Sequence, residues 1–134
     1  MIRVAVVDDH YLILDGLQRI FARSADIDLV GTFLDSADLL SHLTDLSPDV
    51  LITDLEGPNR DTLALVPALA KDSPATRVAV FTGSEDVDLF RQLWEAGVAA
   101  IELKTDDLDP ADLVRMVHRG ERYLSDDIAH LADG

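Results

Sequence analysis

The stretch Ile2-Arg3-Val4-Ala5-Val6-Val7-Asp8-Asp9 decides the reading of this chain. Its apolar part is β-branched and nearly continuous, as in a strand covered on both faces, and it stops at two carboxylates. The same pattern recurs three times downstream. Residues 50–53 run into Asp54, residues 78–81 into Thr82, and residues 101–103 into Lys104. Each buried-strand pattern therefore delivers a reactive polar side chain at its carboxyl end. In an open parallel α/β sheet, ligands collect at that edge, where strand order reverses. Three carboxylates, a hydroxyl and an ammonium gathered there describe a magnesium site beside an anion-binding pocket.

Helical patterns separate the strands. Over residues 12–22, Ile13, Leu17, Ile20 and Phe21 share a face, and Gly16 inside that run lowers helix propensity by about 1 kcal/mol. Ile27–Phe33 reads as the second strand. Ser36 is a candidate cap for a second helix carrying Leu39, Leu40, Leu43 and Leu46, which Ser47-Pro48 stops. After Asp54, Gly57-Pro58-Asn59 is a loop signal. Leu65, Val66, Leu69 and Ala70 mark a third helix, which tolerates Pro67 only in its first turn or with a kink. Residues 77–81 form the fourth strand. Leu89, Phe90, Leu93 and Trp94 mark the fourth helix, with Gly97 as its stop. Residues 99–104 form the fifth strand. Asp109-Pro110 then places a cap before a proline at the first position of the fifth helix, where Leu113, Val114 and Val117 face inward.

Strict alternation predicts an α/β fold, a doubly wound five-stranded parallel sheet with helices on both faces. Residues 1–120 read as one domain. Residues 121–134 read as a linker-like C-terminal tail, polar with a weak apolar stripe.

The bulk composition limits the function. One domain accounts for 134 residues, and 48% hydrophobic content sustains a full core. A net charge of −15 disfavours binding of nucleic acid or anionic membrane by this segment. The same charge suits basic partners and divalent cations. The absence of cysteine excludes disulfides and thiolate metal sites. The N-terminal apolar run is too short for a secretory leader, and nothing approaches the roughly 18 apolar residues of a membrane span. A cytoplasmic location is expected.

Asp8, Asp9 and Asp54 converge if the first and third strands are neighbours. Three close carboxylates cannot all stay ionised without a countercharge, which a hard divalent cation provides. Asp9 and Asp54 are assigned as direct ligands, Asp8 as the holder of a coordinated water, and Glu56 as a ligand through its carbonyl. Lys104 neutralises one charge and can hold a phosphoryl oxygen, while Thr82 can donate to another. Asp54 is the candidate nucleophile, whose in-line attack on phosphorus gives an acyl phosphate. Each residue alone has a plainer account: a turn or cap for Asp8-Asp9, a solvated lysine, a turn threonine. Four strand ends in one register make the site reading the stronger. Trp94 reads as a packing residue ahead of an interface anchor. His10 reads as a loop or helix-start residue, and His42, His118 and His130 lack metal-ligand spacing.

With Val6-Val7-Asp8-Asp9-His10, Asp54-Leu55-Glu56-Gly57-Pro58, Phe81-Thr82-Gly83 and Leu103-Lys104 in this order, the chain resembles the receiver domain of two-component response regulators. The likeness covers about residues 2–120. The opening residues and the closing Gly120-Glu121-Arg122-Tyr123-Leu124-Ser125 look most like the NarL/FixJ-type branch, in which a receiver usually precedes a DNA-binding domain. The resemblance implies a flavodoxin-like strand order 2-1-3-4-5. It implies that Asp54 accepts a phosphoryl group from a sensor histidine kinase with magnesium required. It also implies that Thr82 and Lys104 report the change to the face of the fourth helix, fifth strand and fifth helix. That face would serve a homodimer or a DNA-binding output domain that controls transcription. The linker-like tail fits a receiver from a longer protein. Such a domain is a switch and not a turnover enzyme, since it catalyses only its own aspartyl phosphorylation and dephosphorylation.

Four positions depart from the family pattern. Ile101 stands where an aromatic often lies three residues before the lysine, and a branched aliphatic has few χ1 options with which to replace its swing. Thr105 replaces a frequent proline, Gly57 a customary apolar residue, and Glu56 adds negative charge near the nucleophile. Ile101 and Glu56 keep open a receiver-like interaction module that works without phosphorylation. A phosphatase of the haloacid dehalogenase type fits less well, because it wants a second aspartate where Glu56 stands. A flavodoxin-like cofactor binder fails, since Asp8-Asp9 would repel the flavin phosphate.

Overall fold

β1 (Ile2–Val7) occupies the position from which the sheet is wound in both directions. It pairs in parallel with β2 (Ile27–Phe33) on one side and with β3 (Val50–Thr53) on the other. The computed structural model describes residues 1–54, 62–84, 86–104, 107–126 and 128–129. Beyond β3 come β4 (Arg77–Thr82), β5 (Ala100–Leu103) and a two-residue β6 (Tyr123–Leu124), giving the order β2-β1-β3-β4-β5-β6. Every pairing is parallel. The crossovers are the helices α1 (Tyr11–Ala22), α2 (Ser36–Leu46), α3 (Thr62–Asp72), α4 (Val87–Ala96) and α5 (Pro110–His118). The doubly wound reading therefore holds, with a sixth strand added to the five expected.

The continuous apolar character of β1 has a direct cause in the two cores it separates. Val4 and Val6 face a core built with Leu14, Leu17 and Phe21 of α1 and Val114 and Val117 of α5. Ala5 and Val7 face the opposite core, with Leu39 and Leu43 of α2, Leu65 and Leu69 of α3, and Phe90 and Leu93 of α4. A strand with helices on both sides has no solvent face on which to place polar residues.

The helix ends follow local chemistry. Asp109 accepts a hydrogen bond from the Ala111 amide at 2.8 Å and Pro110 opens α5, as its sequence predicts. Gly97 closes α4 with φ 102°, a left-handed conformation that glycine adopts without a Cβ clash. For α2 the cap is Asp35, whose carboxylate accepts from the Asp38 amide at 2.8 Å; Ser36 is already the first helical residue. Pro67 lies inside α3 beyond its first turn.

β6 is the main addition to the sequence reading. Tyr123 donates its amide to the Ala99 carbonyl at 2.9 Å and Ser125 to that of Ile101 at 3.0 Å. Past the strand, Ile128 enters the second core and is 1% exposed. The tail expected from residue 121 is thus bound to the sheet edge through Ala129, the last described residue. Arg122 reinforces this edge: its guanidinium lies 3.6 Å from the centre of the Trp94 ring and donates to the carbonyls of Trp94 and Val98 at 2.7 and 2.8 Å. Trp94 is half-buried against the second core, as a packing residue should be. No helix among the described residues is long and apolar enough to cross a membrane.

Candidate functional site: an acidic pocket at the strand tips

Backbone pairing continues past the strand ends and fixes the functional residues. The Asp8 amide donates to the Phe33 carbonyl at 3.0 Å, and the Asp54 amide donates to that of Val7 at 3.1 Å. Across the sheet, the Lys104 amide donates to the Thr82 carbonyl at 2.8 Å. The tips of β1, β3 and β5 thus project side chains into one region at the point where strand order reverses, between β1 and β3.

Asp8 and Asp54 are 2% and 1% exposed, so each carboxylate needs a partner to remain charged. Lys104 supplies one. Its Nζ lies 3.2 Å from Asp54 Oδ2 and 3.6 Å from Asp8 Oδ2. His10 supplies another. Its Nδ1 stands 2.6 Å from Asp8 Oδ1, 3.3 Å from Asp9 Oδ1 and 3.2 Å from Asp54 Oδ2. The imidazole is raised above its ordinary pKa, first by the hydrogen bond with Asp8 and further by the charges of Asp8 and Asp54. The nearby Lys104 charge and desolvation oppose that rise. Asp9 is the more exposed acid, with 44% of its side chain accessible, and forms the outer rim.

Thr82 is fully buried at the tip of β4, and its hydroxyl accepts the Ser84 amide at 2.9 Å. That bond uses an acceptor lone pair of the hydroxyl, and the Thr82 carbonyl accepts the Lys104 amide. Ile101, at the position of the missing aromatic, is fully buried in the second core. It is among the largest fully buried side chains of the domain.

Asp8, Asp9, Asp54 and Lys104 therefore meet as their spacing predicts, with Thr82 one strand away. Glu56, Gly57 and Thr105 lie outside the described residues. His10 is the site residue that sequence reasoning misses, since its position reads only as a helix start. It is indeed the residue preceding α1, but its side chain turns back over Asp8, whose Oδ1 also accepts the His10 amide at 2.8 Å. An aspartate two residues before a backbone amide often makes such a turn, and that local motif is the available signal.

The donor set suits a hard divalent cation. Ligand atoms of Asp8, Asp9, His10 and Asp54 lie within 4.8 Å of one another, and three of the four are carboxylate oxygens. The response regulator receiver domain, taken as a family model, matches residues 4–118. The chain belongs to that family. Among relatives of this receiver, response regulator GacA of Pseudomonas aeruginosa is 33% identical over 130 residues, covering 96% of this chain and 61% of GacA. The transcriptional regulatory protein YhcZ of Bacillus subtilis is 31% identical over 125 residues, covering 92% of this chain and 58% of YhcZ. This receiver thus spans less than two thirds of the length of either relative. Among solved structures, the signal receiver domain of the response regulator NarL from Mycobacterium tuberculosis superposes with a TM-score of 0.81 at 26% identity. The match covers 90% of this chain and 98% of that one. It agrees with the NarL-type likeness read at both ends of the sequence. Receivers of this family generally bind magnesium in an acidic pocket, and this one has the aspartate cluster for it.

Proposed function

We propose that Asp54 is the phosphoacceptor of this receiver and that a sensor histidine kinase is its donor. The observation that carries this reading is the pairing of a 1% exposed Asp54 with Lys104 Nζ at 3.2 Å, beside Asp8 and Asp9. One oxygen of Asp54 attacks the donor's phosphorus in line. The P–O bond forms as the P–N bond to the phosphohistidine breaks, and the electron pair returns to the imidazole nitrogen. Asp8, Asp9, Asp54 and the Glu56 carbonyl would hold magnesium. Bound there, the cation neutralises charge on the phosphoryl oxygens. Lys104, already at the pocket, holds one phosphoryl oxygen, and the Thr82 hydroxyl donates to another. His10 Nδ1 lies against the same carboxylate oxygens that would hold the cation.

The receiver is a switch, with phosphorylation biasing two pre-existing conformations. Transcription control through a DNA-binding output region is supported by YhcZ's description as a transcriptional regulatory protein and by the relatives' greater length. The α4–β5–α5 face is the proposed route from the pocket to that output. A phosphorylation-independent module is not favoured, because the receiver family matches residues 4–118 and the pocket keeps its aspartate cluster.

Incubation with acetyl phosphate and magnesium should add one phosphoryl group, read by intact mass. Asp54→Ala should abolish the gain and Lys104→Ala should retain it with impaired switching. No gain in the unaltered chain, with either acetyl phosphate or a cognate kinase, would refute the assignment.

A further inference from the structure

We infer that residues 122–125, with Ile128 beyond them, form a strap that closes the α4 flank and lets go when Asp54 is phosphorylated. The release rests on the phosphoacceptor reading above. Two backbone bonds hold the strap to β5, from the Tyr123 amide to the Ala99 carbonyl at 2.9 Å and from the Ser125 amide to that of Ile101 at 3.0 Å. Side chains hold it to α4. Ile128 is buried beside Phe90 and Trp94, and Leu124 packs against the same core.

Arg122 is the fastener. α4 has no basic residue in its last turn, so its carboxyl end lacks a cation of its own. The Arg122 guanidinium supplies one from the strap. It donates to the Trp94 and Val98 carbonyls while its flat face lies over the Trp94 ring. A lysine would bring the charge without the planar stack and the fork of donors.

The closure is the weakest seam of the described sheet. β6 is in register with β5 over two residues, whereas every other neighbouring pair is in register over four or more. Its seat is also loosely filled. A hollow of about 90 Å3 remains among Phe90, Arg91, Trp94, Leu124 and Ile128, where a close-packed core keeps few such voids. A short pairing over a loose seat opens at lower cost than the domain unfolds. β5 joins this seam to the phosphoryl site. Lys104 Nζ sits 3.2 Å from Asp54 Oδ2, and a phosphoryl group on Asp54 replaces that contact with one to its own oxygens. The β5 tip follows β4, to which the Lys104 amide is bonded through the Thr82 carbonyl, and the two-residue seam on its other edge gives way.

Amide hydrogen exchange by NMR tests the strap, with Trp94, the one tryptophan of the chain, as an optical reporter. Beryllofluoride with magnesium should speed exchange at Tyr123 and Ser125 by about tenfold or more, while β1 and β3 amides keep their protection, as in a local opening. Trp94 emission should move to longer wavelength as water reaches the ring. Arg122→Ala should give both changes with no beryllofluoride added, and Arg122→Lys should resemble it. Unchanged or slower exchange at Tyr123 and Ser125, in a chain whose mass shows the acyl phosphate, would overturn the strap and leave Asp54 as the phosphoacceptor. So would an Arg122→Ala protein that keeps both amides protected. A chain that takes up no phosphoryl group would overturn the Asp54 reading and the release with it.

Discussion

On its α4 side this receiver covers apolar surface with its own chain, and on its α1 side no described residue does so. Ile128 is inserted beside Phe90, Trp94 and Leu124, and Arg122 lies over the Trp94 ring. Across the sheet, Leu12 projects from α1 beside a hollow that no described residue fills. Both flanks carry comparable apolar residues. They differ in whether a later segment of the chain returns to cover them. A hydrophobic residue on a helix is thus neither core nor interface by its type alone; the path of the chain beyond it decides.

The sharpest way to break this comparison is to shorten one apolar side chain on each flank. Ile128→Ala should destabilise the domain by about 2–4 kcal/mol, because a buried side chain leaves a cavity that relaxes only partly. Leu12→Ala should stay within about 0.5 kcal/mol, since its side chain is already in water. Urea denaturation of both variants checks the pair. An Ile128→Ala loss as small as that of Leu12→Ala would mean that the returning segment contributes no packing.

A smaller effect of opposite sign belongs to Gly16. Gly16→Ala should raise monomer stability by about 0.5–1 kcal/mol, because alanine loses less backbone entropy in a helix and its Cβ enters empty space. Thermal unfolding of the two proteins gives the measurement. Destabilisation would show that the space above Gly16 is needed within the monomer.

The smallest expected effect is the acid response of the α1–α5 flank. Arg115 forks onto Asp26, with Nε to Oδ2 at 2.8 Å and Nη2 to Oδ1 at 2.9 Å. This hydrogen bonding lowers the Asp26 pKa from 3.8 to about 2. A carboxylate depressed in the folded state contributes stability above its unfolded pKa, and that contribution fades as pH falls through the folded value. Stability measured against pH should therefore show an Asp26 component disappearing between pH 3.8 and about 2, and Asp26→Asn should remove it. The component should be slight, since the pair is exposed to solvent. Identical profiles for the two proteins would exclude the fork as a stabilising contact.

The sequence is most legible where one residue sets one geometry. Val4–Val7 before Asp8-Asp9, the Asp109-Pro110 cap and the Gly97 stop each act within a few residues, and each stands where local chemistry puts it. The convergence of Asp8, Asp9, Asp54 and Lys104 is also legible, because parallel winding forces strand tips together once the strands are known. β6 is not. A two-residue strand has no periodicity, and Ile128 follows Asp126-Asp127 in a weak apolar stripe, so its burial depends on α4 lying against it. His10 escapes for a related reason: its position before α1 is evident, but its side-chain direction is set by Asp8. Asp35 and Ser36 are both good caps, and only the start of the helix distinguishes them.

The ladder between β5 and β6 has a mechanical consequence. Ser125 hangs by its amide from the Ile101 carbonyl, and Lys104 lies three residues farther along the same rod, about 10 Å at strand rise. A displacement of the lysine along the strand axis would therefore load the ladder bonds that hold Tyr123 and Ser125 to Ala99 and Ile101.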